Sequence, residues 1–342
     1  MSKDVGFGII GCGMISNWHA DAILAIDGAS IIGVTDVNEV SRRNFEKKYN
    51  VPAFYSIDEL LNRPDIDIVC ICTPSGLHAP IAVQVANKGK NIIIEKPMAL
   101  NLAEADQIID VCNRNGVKMA VISQLRFTSA VEKLKKAIEE RKLGKLIMGD
   151  IYMKFFRSQE YYDNGAWRGT WKMDGGGALM NQGIHGIDLL QYVMGPVKSI
   201  YAITRTLARK IEVEDTAVAA VEFKNGALGV IQASTSIYPG CPRRLEINGD
   251  KGSIVLEEDC IVQWDIEGEE IPEGIVLGRA KMSSTSNPAN FSIDGHVKQI
   301  KDMINAVRSG EKPLIDQYEG RKPVEIIMAI YESSRTRSIV EL

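Results

Sequence analysis

Residues 8–16 read G-I-I-G-C-G-M-I-S. An apolar run, V-G-F-G-I-I, leads into them, and S-N-W-H-A-D-A-I-L, with helical spacing of its apolar residues, leads out. A strand that turns through closely spaced glycines into a helix suits a dinucleotide. Gly11 allows the tight turn, and Gly13 lets the backbone approach a pyrophosphate whose charge faces the helix N-terminus. Met14 and Ile15, which open that helix, join them as cofactor-binding candidates. Ser16 stands where the usual fingerprint has a third glycine, and it is small enough for close helix packing. The second strand, I-I-G-V-T-D, ends at Asp36. A carboxylate there binds adenosine ribose hydroxyls and repels a 2′-phosphate, so the cofactor expected is NAD rather than NADP. Arg42 and Arg43 are the counter-indication, since a nearby arginine accepts that phosphate.

Working outward, residues 1–122 alternate Ile- and Val-rich runs with helical segments, which implies parallel strands with helices on both faces. The expectation is a doubly wound Rossmann sheet over 1–122. Residues 123–342 carry longer, partly alternating runs and a tight turn at Asn225-Gly226, as expected of an α+β domain with a mostly antiparallel sheet. Residues 279–294 read as a polar loop.

The chain of 342 residues holds 40 Lys and Arg against 44 Asp and Glu, a net charge of −4. That balance provides no footprint for nucleic acid or an anionic membrane. With no signal-like or spanning apolar segment, a cytoplasmic protein is expected. The six cysteines form no CxxC pair and read as buried free thiols. No His/Cys/Asp group has metal spacing, so no metal is expected.

Two strand ends carry chemistry. Residues 71–79, I-C-T-P-S-G-L-H-A, follow the fourth strand, and N-I-I-I-E-K-P-M at 91–98 closes the fifth. Open α/β sheets bind ligands at such carboxyl ends. The second half adds Trp167-Arg168-Gly169 and G-G-G-A-L-M-N-Q-G-I-H-G-I-D at 175–188. In this order the motifs resemble those of the glucose–fructose oxidoreductase/inositol dehydrogenase/MocA (Gfo/Idh/MocA) family, over essentially the whole chain. The resemblance implies a Rossmann domain followed by a large open-faced sheet domain, a homodimer or homotetramer, and NAD(P)-dependent oxidation or reduction of a sugar or cyclitol hydroxyl. It places Lys96 near nicotinamide and substrate, with the Lys-Pro bond often cis. It also implies cofactor contacts from Thr73, Pro74, His78, Glu95, Gln124, Trp167 and Arg168.

Residue chemistry points the same way. Oxidising a secondary alcohol needs a group to take the hydroxyl proton, and a lysine serves when desolvation and a neighbouring cation lower its pKa. Lys96 leaves a buried strand beside the cofactor, with Glu95 placed to orient it. At 3.6 residues per turn, Asn181, His185 and Asp188 share one helical stripe. His185 is thus a second proton-transfer candidate, with Asp188 orienting it. Many family members have Asp where this chain has Asn181, and asparagine positions only through neutral hydrogen bonds. Asn181, Arg157 and Asp188 are therefore assigned to substrate binding, with Arg126 a softer candidate. His19 and His296 read as structural. An alternative substrate is a UDP-linked amino-sugar uronate oxidised at C3, for which Arg157, Arg243 and Arg244 would supply cations. A nucleotide- and sugar-binding sensor is the non-enzymatic alternative.

Overall fold

The Ile- and Val-rich runs of the first half become a six-stranded, wholly parallel sheet. In the computed structural model, which describes residues 4–165, 167–278 and 292–342, these strands are β1 (Val5–Ile10), β2 (Ala29–Thr35), β3 (Ala53–Phe54), β4 (Ile68–Ile71), β5 (Asn91–Ile94) and β6 (Met119–Val121). They alternate with α1 (Met14–Leu24), α2 (Glu39–Tyr49), α3 (Ile57–Leu61), α4 (His78–Asn87) and α5 (Leu102–Asn115). Strand order is β3-β2-β1-β4-β5-β6. The direction of winding reverses between β1 and β4, the switch point where doubly wound sheets bind nucleotides. Every residue of β1 and β4 is buried, as is usual for strands covered on both faces.

The second half supplies α6 (Ser129–Glu139), β7 (Leu146–Lys154), α7 (Gln159–Asp163), a π-helical turn (Ala178–Gly183) and α8 (Ile184–Met194). There follow β8 (Val197–Arg205), β9 (Thr216–Phe223), β10 (Leu228–Ser234), β11 (Arg244–Gly249), β12 (Gly252–Glu257) and β13 (Cys260–Ile266). The eight-stranded sheet, order β13-β12-β11-β7-β10-β9-β8-β14, closes with β14 (Val340–Glu341). Among the described strand pairs of this sheet, β7–β10 alone is parallel. Asn225 and Gly226 turn β9 into β10, with Gly226 at φ +87° and the Asn225 side chain accepting from the Ala227 amide. Alternation is clear on β8 and β9: Ile200, Ala202, Ala219 and Val221 are buried, while Tyr201, Ile203 and Val218 face outward.

Helices α9 (Asp294–Ser309) and α10 (Gln317–Thr336) end the chain. The division into units is not the single one expected between residues 122 and 123. Residues 292–321 join those up to Gln124, and residues 125–278 join 322–342. The reason is the apolar stripe of α9: Ile300, Met303 and Ile304 enter the same core as Ile9, Ile23 and Ile93. The expected loop at 279–294 falls, for residues 279–291, outside the described residues. Cys12, Cys70, Cys72 and Cys112 are buried free thiols as expected, whereas Cys241 is exposed and Cys260 half-buried. No described helix is long and apolar enough to cross a membrane.

Ile300→Ala is expected to cost about 2–5 kcal/mol of unfolding free energy through the cavity it leaves. Urea titration checks this, and wild-type stability in the variant would separate α9 from the Rossmann core.

Candidate active site

The glycine turn is shaped by the strand beside it. Gly11 has φ +96°, and a Cβ there would lie 2.6 Å from the Cys72 carbonyl oxygen. Gly13 is the N-cap of α1 and gives it no side-chain cap, while a Cβ on it would meet nothing within 4 Å. Open space thus lies before the uncapped amides of Met14 and Ile15, which is what an anion at a helix start requires. Ser16 is fully buried, and its hydroxyl donates to the Gly13 carbonyl at 2.6 Å. Asp36 accepts from the Cys12 amide at 2.6 Å and the Asn38 amide at 2.7 Å, one on each carboxylate oxygen. Each oxygen keeps a second lone pair for a ribose hydroxyl. The two arginines are committed elsewhere. Arg42 is buried, donates to the Asp36 backbone carbonyl at 3.0 Å and lies over the Tyr55 ring; Arg43 pairs with Glu39.

The loop after β4 and the turn after β5 are tied together by His78. This side chain is buried, with Nδ1 2.7 Å from the Pro97 carbonyl and Nε2 2.9 Å from the Thr73 carbonyl. Burial pushes its pKa down. Both ring nitrogens of His78 thus face backbone carbonyls of the two loops. Thr73, Pro74 and Lys96 are half-buried along this edge, and the Lys96–Pro97 bond is cis. Glu95 is not presented to a cofactor as expected. It is 5% exposed and turns inward, where Oε1 meets His19 Nε2 at 2.9 Å and lies 4.0 Å from His296 Nε2, while Oε2 accepts from the Lys96 amide at 3.2 Å. A buried carboxylate seeks such partners. Their ligand atoms lie within 4.8 Å of one another, a grouping that sequence spacing alone does not reveal.

In the second unit the expected stripe is interrupted. Asn181 lies in the π turn and His185 in α8, so their spacing is not that of one regular helix. Asn181 Nδ2 donates to Asp174 at 2.7 Å, and Asp174, itself buried, also accepts from the Gly169 amide at 2.9 Å. Asp174 was missed in the sequence because nothing marks it as a partner seven residues away. Asp188, expected to bind substrate and orient His185, is instead the anion of an interior pair. Arg126 reaches both of its oxygens, at 2.9 and 2.6 Å, and both side chains are almost wholly buried. That pairing equally removes Arg126 as a substrate contact. His185 is half-buried. Arg157 donates to the Phe156 carbonyl at 2.8 Å, and Arg168 lies over the rings of Tyr161 and Trp167.

Glu214 holds the π turn from its start. Its carboxylate accepts from the Gly177 and Leu179 amides at 3.0 and 2.9 Å and from the Tyr331 hydroxyl at 3.0 Å. Burial nonetheless pushes its pKa up to about 7.

Residues 5–123 match the model of an oxidoreductase family with an NAD-binding Rossmann fold, and residues 131–255 match the GFO/IDH/MocA C-terminal domain. The WlbA dehydrogenase from Bordetella pertussis, solved with NADH and UDP-GlcNAcA, is 34% identical, with 99% of each chain covered and a TM-score of 0.89. The chain belongs to the GFO/IDH/MocA oxidoreductase family. Among other GFO/IDH/MocA relatives, myo-inositol 2-dehydrogenase of Thermotoga maritima is 28% identical over 98% of both chains. Glucose-6-phosphate 3-dehydrogenase of Bacillus subtilis is 30% identical over 71% of this chain and 72% of its own.

As in the GFO/IDH/MocA family, the cofactor is NAD. The first unit fits it on its own observations: the open space at Gly13, the uncapped start of α1 and the lone pairs left on Asp36. The Thr73 hydroxyl and the Gln124 side-chain carbonyl are buried without a hydrogen-bond partner among the described residues, which suits a polar ligand along this edge.

Asp36→Ala is expected to weaken NAD binding about tenfold and to narrow its preference over NADP, by loss of the ribose bonds and of the repulsion. Titration with both cofactors checks it; unchanged discrimination would remove Asp36 from the site. A second outcome concerns pH. The Glu214 carboxyl is held above its unfolded value, so its contribution to stability is present at acid pH and is lost as pH rises from about 4.5 through 7. Wild-type unfolding free energy should fall by up to about 3 kcal/mol between pH 5 and 8 from this group. Glu214→Gln should flatten that slope, read as Tm against pH for both proteins.

Proposed function

We propose that this protein is an NAD-dependent dehydrogenase that interconverts a secondary hydroxyl and a ketone on a sugar or cyclitol, with Lys96 and His185 moving the proton. The observation that carries this reading is the placement of Lys96. It stands at the carboxyl end of β5, on a turn fastened by His78 to the loop after β4, along the edge where the nucleotide binds. NAD, when bound, supplies the hydride acceptor. Lys96 takes the hydroxyl proton, helped by its half-buried position and by the positive charge of the oxidised nicotinamide. His185, half-buried on α8, serves as the second proton carrier. Asn181 binds a substrate hydroxyl, its amide orientation fixed by Asp174. Two side chains suited to proton transfer favour a catalyst over a sensor.

The relatives support a polyol substrate, as two of the dehydrogenases above are named for an inositol and a sugar phosphate. A nucleotide-linked uronate is the second reading, favoured by full-length similarity to the enzyme solved with UDP-GlcNAcA. It must find its cations without Arg243 and Arg244. Arg243 is buried against Glu258, and Arg244 pairs with Glu246 and Glu257. Arg157 is the candidate that remains.

The open face of the second sheet suits a homo-oligomer. Ile203 pairs with Val218 across β8 and β9, and Tyr201 and Leu228 add to the same exposed apolar face. A second copy of this chain is its occupant, because a two-fold interface needs only one self-complementary patch.

Lys96→Ala should lower kcat by about 10²–10⁴-fold while leaving NAD binding nearly unchanged; undiminished kcat would sink the proton-transfer role. NAD reduction measured over inositols, aldoses, sugar acids and UDP-sugar uronates separates the two substrate classes. Val218→Asp should convert the oligomer to monomer by light scattering, and an oligomer that persists would place the interface elsewhere.

A further inference from the structure

Three segments of the second unit converge close to Asn181. They are residues 155–161, which lead from β7 into α7, the turn at 167–169, and the loop 206–212 between β8 and β9. The Gln159 side chain donates to the Lys210 carbonyl at 3.3 Å and accepts from the Lys210 amide at 2.8 Å, and the Glu212 amide donates to the Gly169 carbonyl at 3.0 Å. The Tyr161 ring is fixed there from two sides. Tyr162 packs against it edge to face at 5.1 Å, and its hydroxyl accepts from Gln182 Nε2 at 3.2 Å. Gln182 is the residue after Asn181 on the π turn.

Each segment brings an arginine. Arg168 lies 4.4 Å and Arg157 5.6 Å from the Tyr161 ring centroid, and Arg209 lies 5.1 Å from that of Phe156, the residue before Arg157. All three are half-buried. Neither Arg168 nor Arg209 has a carboxylate partner among the described residues, and the Nε of each is buried without a hydrogen bond. Gln182 Oε1 is buried and unpartnered in the same way. The carboxylates on and beside these segments serve other donors. Asp163 accepts from Gln159, Glu160 from Asn164, Glu212 from the Trp171 amide, and Asp215 from the amides of Leu207, Ala208 and Arg209. Buried donors left unpaired cost free energy, and the aromatic faces offset only part of it. An arriving anion would satisfy them.

We infer that Arg168 and Arg209, with Arg157, form a subsite for a phosphoryl group of the substrate, so that the sugar oxidised here is a phosphate ester and not a free polyol. The subsite rests on the arginines; its link to turnover rests on the dehydrogenase reading above. A single planar guanidinium already meets a carboxylate with two parallel bonds. Several cations spread over two rings match a group with about two negative charges and oxygens facing several directions. A sugar monophosphate and a nucleoside diphosphosugar both carry such a group. By family resemblance Arg168 contacts the cofactor. Here it lies over Tyr161, whose hydroxyl bonds the neighbour of Asn181, and this assigns it to the substrate instead.

The test is calorimetric titration of the full-length, NAD-loaded protein with two matched pairs of probes, UDP against uridine and glucose 6-phosphate against glucose. In at least one pair the phosphorylated probe is expected to bind about tenfold or more tightly than its partner, and the pair that shows this identifies the source of the phosphate. Arg209→Gln and Arg168→Gln should each weaken that probe by about ten- to a hundredfold and leave NAD binding nearly unchanged. Phosphorylated probes that bind no more tightly than their partners, or undiminished affinity in Arg209→Gln, overturn the subsite. So does an Arg168→Gln protein that loses NAD instead. Should Arg168→Gln not fold, Arg209→Gln carries the test, because the Arg209 side chain makes no hydrogen bond among the described residues. Failure of the dehydrogenase reading looks different. Arginine-dependent binding of a phosphorylated probe, with no NAD reduction by any sugar, upholds the subsite and removes the activity. NAD reduction by free inositol or aldose, with phosphorylated probes binding no more tightly than their partners, overturns the subsite and leaves the activity.

Discussion

The chain places an ionised carboxylate directly after three buried isoleucines of a strand. Ile92, Ile93 and Ile94 are fully buried, and Glu95 follows with little more access to water. Left alone, such a charge costs of order several kcal/mol, and the cost is offset only by a partner with good geometry. That partner comes from α1, the helix that follows the glycine turn, and a ring from α9, roughly two hundred residues further along the chain, lies beside it. One buried anion therefore ties α1 to the Lys96–Pro97 turn, with the His296 ring of the returning C-terminal helix lying 4.0 Å from it. His78 adds the fourth element by holding the Thr73 and Pro97 carbonyls.

The second unit uses interior charge in the same way. Asp188 and Arg126 pair beneath α8, Glu214 gathers two amides and a tyrosine hydroxyl at the start of the π turn, and Asp174 joins the Gly169 backbone to Asn181. All three acids are buried. Each replaces water with several protein donors, which is how a polar framework survives inside a domain and why removing one partner is expensive. The π turn they support lies immediately before His185, and such turns often mark functional sites.

Features written in local sequence were legible. The glycine turn, Asp36, the parallel strands, the Asn225–Gly226 hairpin and the turn carrying Lys96 all depend on residues close together in the chain. What was not legible depends on meetings across long separations. His19, Glu95 and His296 each look ordinary alone, and α9 reads as a generic amphipathic helix until its stripe is found against Ile9 and Ile93. The stripe through Asn181, His185 and Asp188 presumed one uniform helix, and the π turn changes the rotation per residue before His185. Arg126 and Arg243 looked like ligand cations because their carboxylate partners lie 62 and 15 residues away, whereas Arg244 has partners close in sequence, Glu246 on its own strand and Glu257 opposite it on β12.

Asn181 is the position where this chain departs from the common aspartate of its family, and its surroundings explain what the exchange does. An aspartate at 181 would set a second carboxylate beside Asp174, and two such groups cannot both ionise cheaply at hydrogen-bond distance. Asparagine instead donates through Nδ2 to Asp174 at 2.7 Å, which turns Oδ1 the other way as an acceptor of fixed direction. The position keeps the acceptor an aspartate would offer and loses its ability to take a proton. Asp174 and Asp188 do not restore that ability, since their oxygens are occupied inside the unit, and Glu214, though its pKa is pushed up to about 7, is buried against Tyr331 and the Gly177 and Leu179 amides. In the proposed mechanism Asn181 is therefore left to position substrate, and the proton transfer is assigned to Lys96 and His185.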